Sequence, residues 1–246
     1  MWNKPHLMNA VTDLLMLVGA AALLAAAAVW LVRVPALPVR EVVFTDALAH
    51  TRRAELEEVL PAALKGNFFS LNLESVRGTL ERLPWVRRAE VRRVWPQRLE
   101  VKVEEHRPVA RWGEGRGELV NSYGEVFAAT PAQDEGALLP MLFGPQGTAP
   151  EVLTQFGEVV SMFQVIGEKP VQLVLSPRLA WQLRLQNGMT VDVGREQPKS
   201  PVDARLQRFV QIYPELVAKR PVRPEVVDLR YPNGFAMRLA GEGKGK

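Results

Sequence analysis

Residues Leu14 to Val32 read LLMLVGAAALLAAAAVWLV, an apolar run without a charge, and no other stretch of the 246-residue chain approaches it. Nineteen residues rising about 1.5 Å each make a helix of roughly 28 Å, against a hydrocarbon core about 30 Å thick. The run therefore predicts a transmembrane helix over 14–32, with a short tail (1–13) before it and a water-soluble body after it. A cleaved signal peptide is the competing reading, and Ala25–Ala28 would suit cleavage. Val29-Trp30-Leu31-Val32 carries the run past those small residues, whereas the apolar part of a signal spans only about 7–15 residues. Trp30 fits the aromatic belt of a membrane interface. Lys4 precedes the run while Arg33 and Arg40 follow it, a count that by itself would hold the body in the cytoplasm. Large domains translocate largely regardless of flanking charge, so the charges leave the orientation open.

Residues 33–38, with Pro35 and Pro38, read as a stiff linker. From Val39 the pattern is strand, helix, helix, strand, strand. Val39–Phe44 is a short strand. Thr51 is placed to cap a helix carrying Leu56, Val59 and Leu60, which Lys65-Gly66 ends. Asn72 is placed to cap a second helix with Leu73, Val76, Leu80 and Leu83 on one face, and Pro84 follows its end. Two strands, 85–95 and 98–104, are joined by Trp95-Pro96-Gln97; Leu99, Val101 and Val103 alternate with Glu100, Lys102 and Glu104. Two helices can then cover one face of a three-stranded sheet.

After Pro108 the texture changes to short strands and turns. Asn121-Ser122-Tyr123-Gly124 separates two strand stubs as a tight hairpin, and Leu139–Pro145 is extended. Val152, Phe156, Val159 and Phe163 mark an amphipathic helix. Trp181, Leu183 and Leu185 alternate into Asn187-Gly188, which predicts a type I′ turn, and Val191 and Val193 return. Ser200-Pro201 predicts a capped helix with Leu206, Phe209, Val210, Tyr213 and Val217 as its buried stripe. A last hairpin runs through Val227, Leu229 and Tyr231, turns at Tyr231-Pro232-Asn233-Gly234, and returns through Phe235, Met237 and Leu239. Residues 241–246 carry no large apolar side chain and are expected to be disordered. The fold class is α+β: a single transmembrane helix, a β-α-α-β-β module over 39–106, and a mixed β domain with peripheral helices over 107–240.

Chemistry is sparse. The chain has no cysteine, which excludes disulfides and thiolate metal sites. His6, His50 and His106 are scattered, Ser122 lacks a nucleophile elbow, and the glycines 113, 115 and 117 lack the helix and lysine of a phosphate loop. Glu104-Glu105 reads as a strand-end pair rather than an acid/base dyad. No catalytic set, cofactor site, metal site or small-molecule substrate is expected. The net charge of +4 does not by itself call for nucleic acid. Arg87, Arg88, Arg92, Arg93 and Arg98 form a basic set open to a solvated face paired with Glu90, Glu100 and Glu104, an acidic protein partner, or anionic lipid headgroups.

The ordered motifs resemble the FtsQ/DivIB family of bacterial cell division. They are the apolar helix, Leu83-Pro84-Trp85-Val86, Trp95-Pro96, the run Leu119–Phe127, Leu139-Pro140 with Gly144-Pro145, Arg205–Phe209 with Tyr213-Pro214, and Val227–Tyr231 with Asn233-Gly234. The resemblance implies a POTRA-like module behind an inner-membrane anchor, with a cytoplasmic N-terminus and a periplasmic body at the division septum. It implies a non-catalytic scaffold that binds FtsB, and through it FtsL, and meets other divisome proteins through the POTRA-like module and the anchor. The C-terminal strand edge would receive a strand from FtsB. That assigns partner binding to Arg230, Tyr231, Gly234, Phe235, Ala236, Met237, Arg238 and Leu239, with Arg205, Phe209 and Tyr213 on the supporting helix. Where some relatives carry an aromatic residue near the end of this strand, this chain has Leu239. From the residues alone, Phe235, Met237 and Leu239 also read as core, and backbone pairing at an edge leaves an inward face free, so both stand. Two other functions remain open: a POTRA-type chaperone or secretion component, which would favour tandem repeats or a barrel, and an anchored peptidoglycan enzyme, which needs a convergent catalytic set.

Overall fold

The protein is seen in a computed structural model that describes residues 5–33, 38–115, 117–219, 224–231 and 234–239. Residues 1–4, most of the expected linker, the turn positions Pro232 and Asn233, and the tail 241–246 lie outside the described residues. The chain divides into two compact units, Met1–His106 and Arg107–Lys246.

The first unit opens with α1 (Pro5–Arg33). Its window Met8–Trp30 is long and apolar enough to cross a membrane, and Leu14, Met16, Leu23 and Trp30 are all exposed. The helix runs well beyond the apolar run at its start, because nothing between Pro5 and Asp13 breaks it and proline suits a first helical position. There follow β1 (Glu41–Phe44), α2 (Arg53–Ala63), α3 (Leu73–Leu80), β2 (Val86–Val94) and β3 (Arg98–Glu105), the order the sequence predicts. The sheet order is β1-β3-β2, with β1 parallel and β2 antiparallel to β3. Leu56 and Leu60 from α2 and Val76 and Leu80 from α3 bury against Ala89, Leu99, Val101 and Val103 of the sheet.

Asn72 caps α3 as expected, its side chain accepting from the backbone N–H groups of Glu74 and Ser75. The cap expected at Thr51 takes another form. Arg52 holds the N-cap position of α2 without a side-chain cap bond. The N–H groups of Ala49, His50 and Thr51 instead donate to the Glu105 carboxylate, at 2.6 Å for Ala49 and Thr51. Burial alone would raise the pKa of Glu105, but these hydrogen bonds outweigh it and hold the carboxyl below its ordinary value.

The second unit contains β4 (Pro108–Trp112), β5 (Glu118–Asn121), β6 (Val126–Ala128), α4 (Gln133–Leu138), β7 (Met141–Phe143), α5 (Ala149–Gln164), β8 (Pro170–Leu175), β9 (Ala180–Leu185), β10 (Thr190–Arg195), α6 (Val202–Lys219), β11 (Pro224–Asp228) and β12 (Ala236–Leu239). They build one nine-stranded sheet in the order β12-β11-β10-β9-β8-β7-β4-β5-β6. The pairs β7/β8 and β10/β11 are parallel, and α5 and α6 supply the crossovers that parallel neighbours require. The core gathers Leu142, Leu173, Leu183, Val191 and Val227 from the sheet under Val152, Val159 and Phe163 of α5 and Leu206 and Phe209 of α6.

Two local expectations are corrected. The turn at Asn187-Gly188 is not type I′, because Gly188 has φ +90° while Asn187 does not take a positive φ. Leu185 O accepts from Gly188 N at 3.0 Å and Leu185 N donates to Met189 O at 2.9 Å, which is a type I turn closed by a left-handed glycine bulge. At the start of α6, the Ser200 hydroxyl is buried without a hydrogen-bond partner among the described residues. The Glu196 carboxylate accepts from Val202 N at 3.1 Å in its place.

Candidate functional site: an open sheet edge beside an arginine pocket

Among the described residues, β12 ends the nine-stranded sheet and pairs antiparallel with β11 only, in the register Val226↔Arg238, Val227↔Met237 and Asp228↔Ala236. On the other side of β11, Leu229 N donates to Asp192 O of β10. Backbone groups alternate sides along a strand, so Val227 also faces β10 while Val226 and Asp228 face β12. Their opposite numbers, Ala236 and Arg238, turn their backbone groups toward β11. The backbone N–H and C=O of Met237 therefore point out of the sheet, where an added strand would lie.

Side chains follow the other alternation. Phe235 and Met237 are half-buried against the core, and Phe235 meets Phe209 edge-on at 6.0 Å between ring centroids. Ala236 and Arg238 are exposed, Leu239 is half-buried, and Arg238 lies 3.7 Å from Glu225 on β11. The strand thus combines an inward face that is core with a lateral edge to which no other strand pairs among the described residues. Tyr231 is 54% exposed, and Gly234 is half-buried just before β12.

Arg205, Phe209 and Tyr213 do not reach the surface with their side chains, being 2%, 0% and 4% exposed. Helical spacing puts all three on the buried stripe of α6, beneath the sheet, in keeping with a supporting helix. Phe209 props Phe235, and the Tyr213 hydroxyl donates to Glu168 at 2.7 Å. Arg205 donates to the carbonyl of Arg195 at the end of β10. Burial lowers the pKa of its guanidinium and Glu196 opposes that shift. Its Nε and Nη1 have no partner among the described residues.

Around the expected Arg230 the structure gathers residues that sequence reasoning missed. An open pocket of about 620 Å³ is lined by Ser176, Arg178, Gly194, Arg195, Glu196 and Arg230, among others. Arg230 is held by Asp228, which accepts from its Nε at 2.8 Å and from its Nη2. That bond holds the Asp228 carboxyl below its ordinary pKa and raises the guanidinium's. Gly194, at φ +83°, permits the arrangement, since a Cβ there would lie 2.8 Å from Arg230 Cγ. The signal available in the sequence was Gly194-Arg195-Glu196 interrupting the Val191, Val193 alternation, where the register of β10 against β9 shifts. Among the described residues, no group of three or more His, Asp or Glu side chains is placed to hold a metal.

Three members of the basic set of the first unit are ion-paired. Arg87 pairs with Glu104 at 2.9 Å, Arg92 with Glu100 at 2.7 Å and Arg98 with Glu41 at 2.9 Å. Arg93 donates to the carbonyls of Phe68, Phe69 and Leu71.

One N-terminal apolar helix, a β-α-α-β-β module and a sheet domain with an open edge define a POTRA-bearing protein of single-span layout. Residues 37–106 match the FtsQ-type POTRA domain, and residues 110–230 match the C-terminal domain of cell division protein FtsQ/DivIB. The chain is 38% identical to cell division protein FtsQ of Burkholderia pseudomallei, over 98% of this chain and 95% of that one. It is 37% identical to the FtsQ of Nitrosospira multiformis over 97% and 99%, and 34% identical to that of Bordetella pertussis over 98% and 93%. The chain belongs to the FtsQ/DivIB family of cell division proteins, and its role lies in the protein interactions of the divisome.

Proposed function

We propose that this chain is a non-catalytic scaffold whose β12 edge takes up an extended segment of FtsB, and through FtsB gathers FtsL. The observation that carries the proposal is the outward-facing backbone of Met237 on the last strand of the sheet. An incoming strand gains main-chain hydrogen bonds there and side-chain selectivity from the exposed Ala236, Arg238 and Tyr231. The pocket of Arg178, Arg195 and Arg230 supports the reading by offering guanidinium groups to an acidic side chain of the same segment. Arg205, Phe209 and Tyr213 act from beneath, keeping α6 and the end of β10 in place. On this reading α1 sits in the inner membrane with a cytoplasmic N-terminus, and residues 39–106 and 107–240 form two periplasmic domains at the septum. Other divisome proteins meet the POTRA module and the anchor.

The test is Met237→Pro, which removes an outward donor while leaving the residues that bond β11. Binding to FtsB should weaken about tenfold or more, equivalent to about 1.4 kcal/mol or more, with the thermal transition of the body still cooperative. Ala236→Asp leaves the backbone donors intact and places a charge beside the incoming strand; it should weaken binding without unfolding. A folded Met237→Pro protein that captures FtsB as well as wild type does would rule out strand addition at this edge.

A further inference from the structure

The first unit carries an exposed aromatic tip with no part in the β12 site. Trp95, in the turn between β2 and β3, is 68% exposed, and Phe69 beside it is 40% exposed. The rings of Phe69 and Trp95 lie 6.4 Å apart, and both pack against buried Phe68. The tip is built to hold its shape. Asn67 Oδ1 accepts from the N–H groups of Phe69 and Ser70, and the Arg93 guanidinium spans the carbonyls of Phe68, Phe69 and Leu71. Outside α1, Trp95 is the only tryptophan that is mostly exposed among the described residues. An exposed indole locked beside a phenyl ring is not explained by the stability of the module.

Topology says what lies near it. The chain enters the module at Arg40, whose N–H donates to Gln97 O at 2.9 Å, inside the same turn. β1 starts opposite the start of β3 (Glu41↔Arg98), so chain entry and the Trp95 turn share one end of the sheet. Seven peptide steps separate Arg40 from Arg33, the last residue of α1, and span at most about 25 Å. Whatever α1 spans is thus always within reach of this tip. Arg40, whose N–H bonds this turn, and Lys65, four residues before Phe69, are both exposed and carry positive charge near the tip in the chain, while Arg98 is paired with Glu41.

We propose that the Phe69–Trp95 tip seats in the headgroup layer of the membrane that holds α1, with the indole at the interface and Arg40 against anionic headgroups. Tryptophan favours that layer because its ring is apolar and its N–H is wet. Basic residues near an anionic surface add to the attraction. The inference rests on α1 being inserted and is independent of strand addition at β12.

The chain has no cysteine, so one introduced thiol labels one site. Full-length chains with Trp95→Cys, Phe69→Cys or Arg82→Cys would carry an environment-sensitive fluorophore. Arg82 is exposed and precedes β2, at the opposite end of the sheet. The chains would be reconstituted in vesicles of equal parts phosphatidylethanolamine and phosphatidylglycerol. Labels at 69 and 95 should shift to the blue, resist iodide, and be quenched by headgroup spin-labelled lipid. The label at 82 should remain open to iodide. Arg40→Glu should reduce the shift at position 95. Chains that float with the vesicles while all three labels stay equally open to iodide would overturn the tip alone. A chain that does not float would overturn the insertion of α1 as well. A blue shift that arises only when another division protein is added would overturn the lipid assignment in favour of a protein surface.

Discussion

Leu179 occupies a position that two sister loops give to glycine. The loops 121–125, 176–180 and 185–189 close alike, with N–H to carbonyl bonds from Gly124 to Asn121, Leu179 to Ser176 and Gly188 to Leu185. The bulge residue is left-handed each time, at φ +80°, +57° and +90° for Gly124, Leu179 and Gly188. Leucine pays in backbone strain for that conformation and, being exposed, gains little packing in return. Leu179→Gly should therefore raise the stability of the second unit by about 1 kcal/mol, read as a higher denaturant midpoint at unchanged slope. A lower midpoint would show that the leucine side chain contributes contacts that outweigh its strain. At this scale the sequence was legible where one side chain acts locally, as at Asn72. It misled where two turn types share a dipeptide. Asn-Gly suits a type I′ turn, but Asn187 here spends its side chain on Met189 N and Glu168, which fits a type I turn with a bulge.

Between elements, the first unit depends on a clamp that no local pattern shows. Glu105 at the end of β3 accepts from three successive N–H groups ahead of α2, across more than fifty residues of chain. Its pKa is lowered in the folded protein. A lowered carboxyl pKa means stability that is fully present above the unfolded value, about 4.3, and that is lost as pH falls through the folded value. Glu105→Gln should melt lower than wild type at pH 7, and the two melting curves should converge as the pH is brought below about 4. A gap that persists undiminished in acid would assign the effect to shape rather than charge. The amphipathic elements α3, α5 and α6 were legible because their apolar spacing exceeds any local ambiguity. β8 was not, since it opens on a proline and Val174 interrupts the alternation, half-buried on the face opposite buried Leu173 and Leu175. Nor was α4, which buries no residue and so leaves no stripe to read.

For the whole molecule, the order of motifs carried the family, and the order of strands could not be read. Consecutive strands pair along β8-β9-β10, but β4/β7 and β10/β11 join segments separated by a hairpin or a helix. Such neighbours are fixed by tertiary packing. For the same reason the pocket beside Arg230 draws on three separate stretches of chain and escaped notice, while the terminal position of β12 was legible from its being the last strand. Division of labour between the parts is testable. If the proposed division holds, with the anchor supplying local concentration and β12 the contact, FtsB should still co-purify from membranes when α1 is exchanged for an unrelated single-span apolar helix. Loss of FtsB from a folded, membrane-bound chimera would place part of that interface in α1.

A strand with one free edge is also an invitation to the wrong guest, including another copy of the same chain. β12 limits that risk by its dimensions. It has four residues, its pairing with β11 slips between Pro224 and Val226, and Arg238 and Glu225 put opposite charges on its face. A flat hydrophobic edge of twice that length would favour self-stacking into fibrils. Brevity and charge at β12 thus set a ceiling on how tightly any backbone can be held there, and they leave discrimination between guests to the side chains around it.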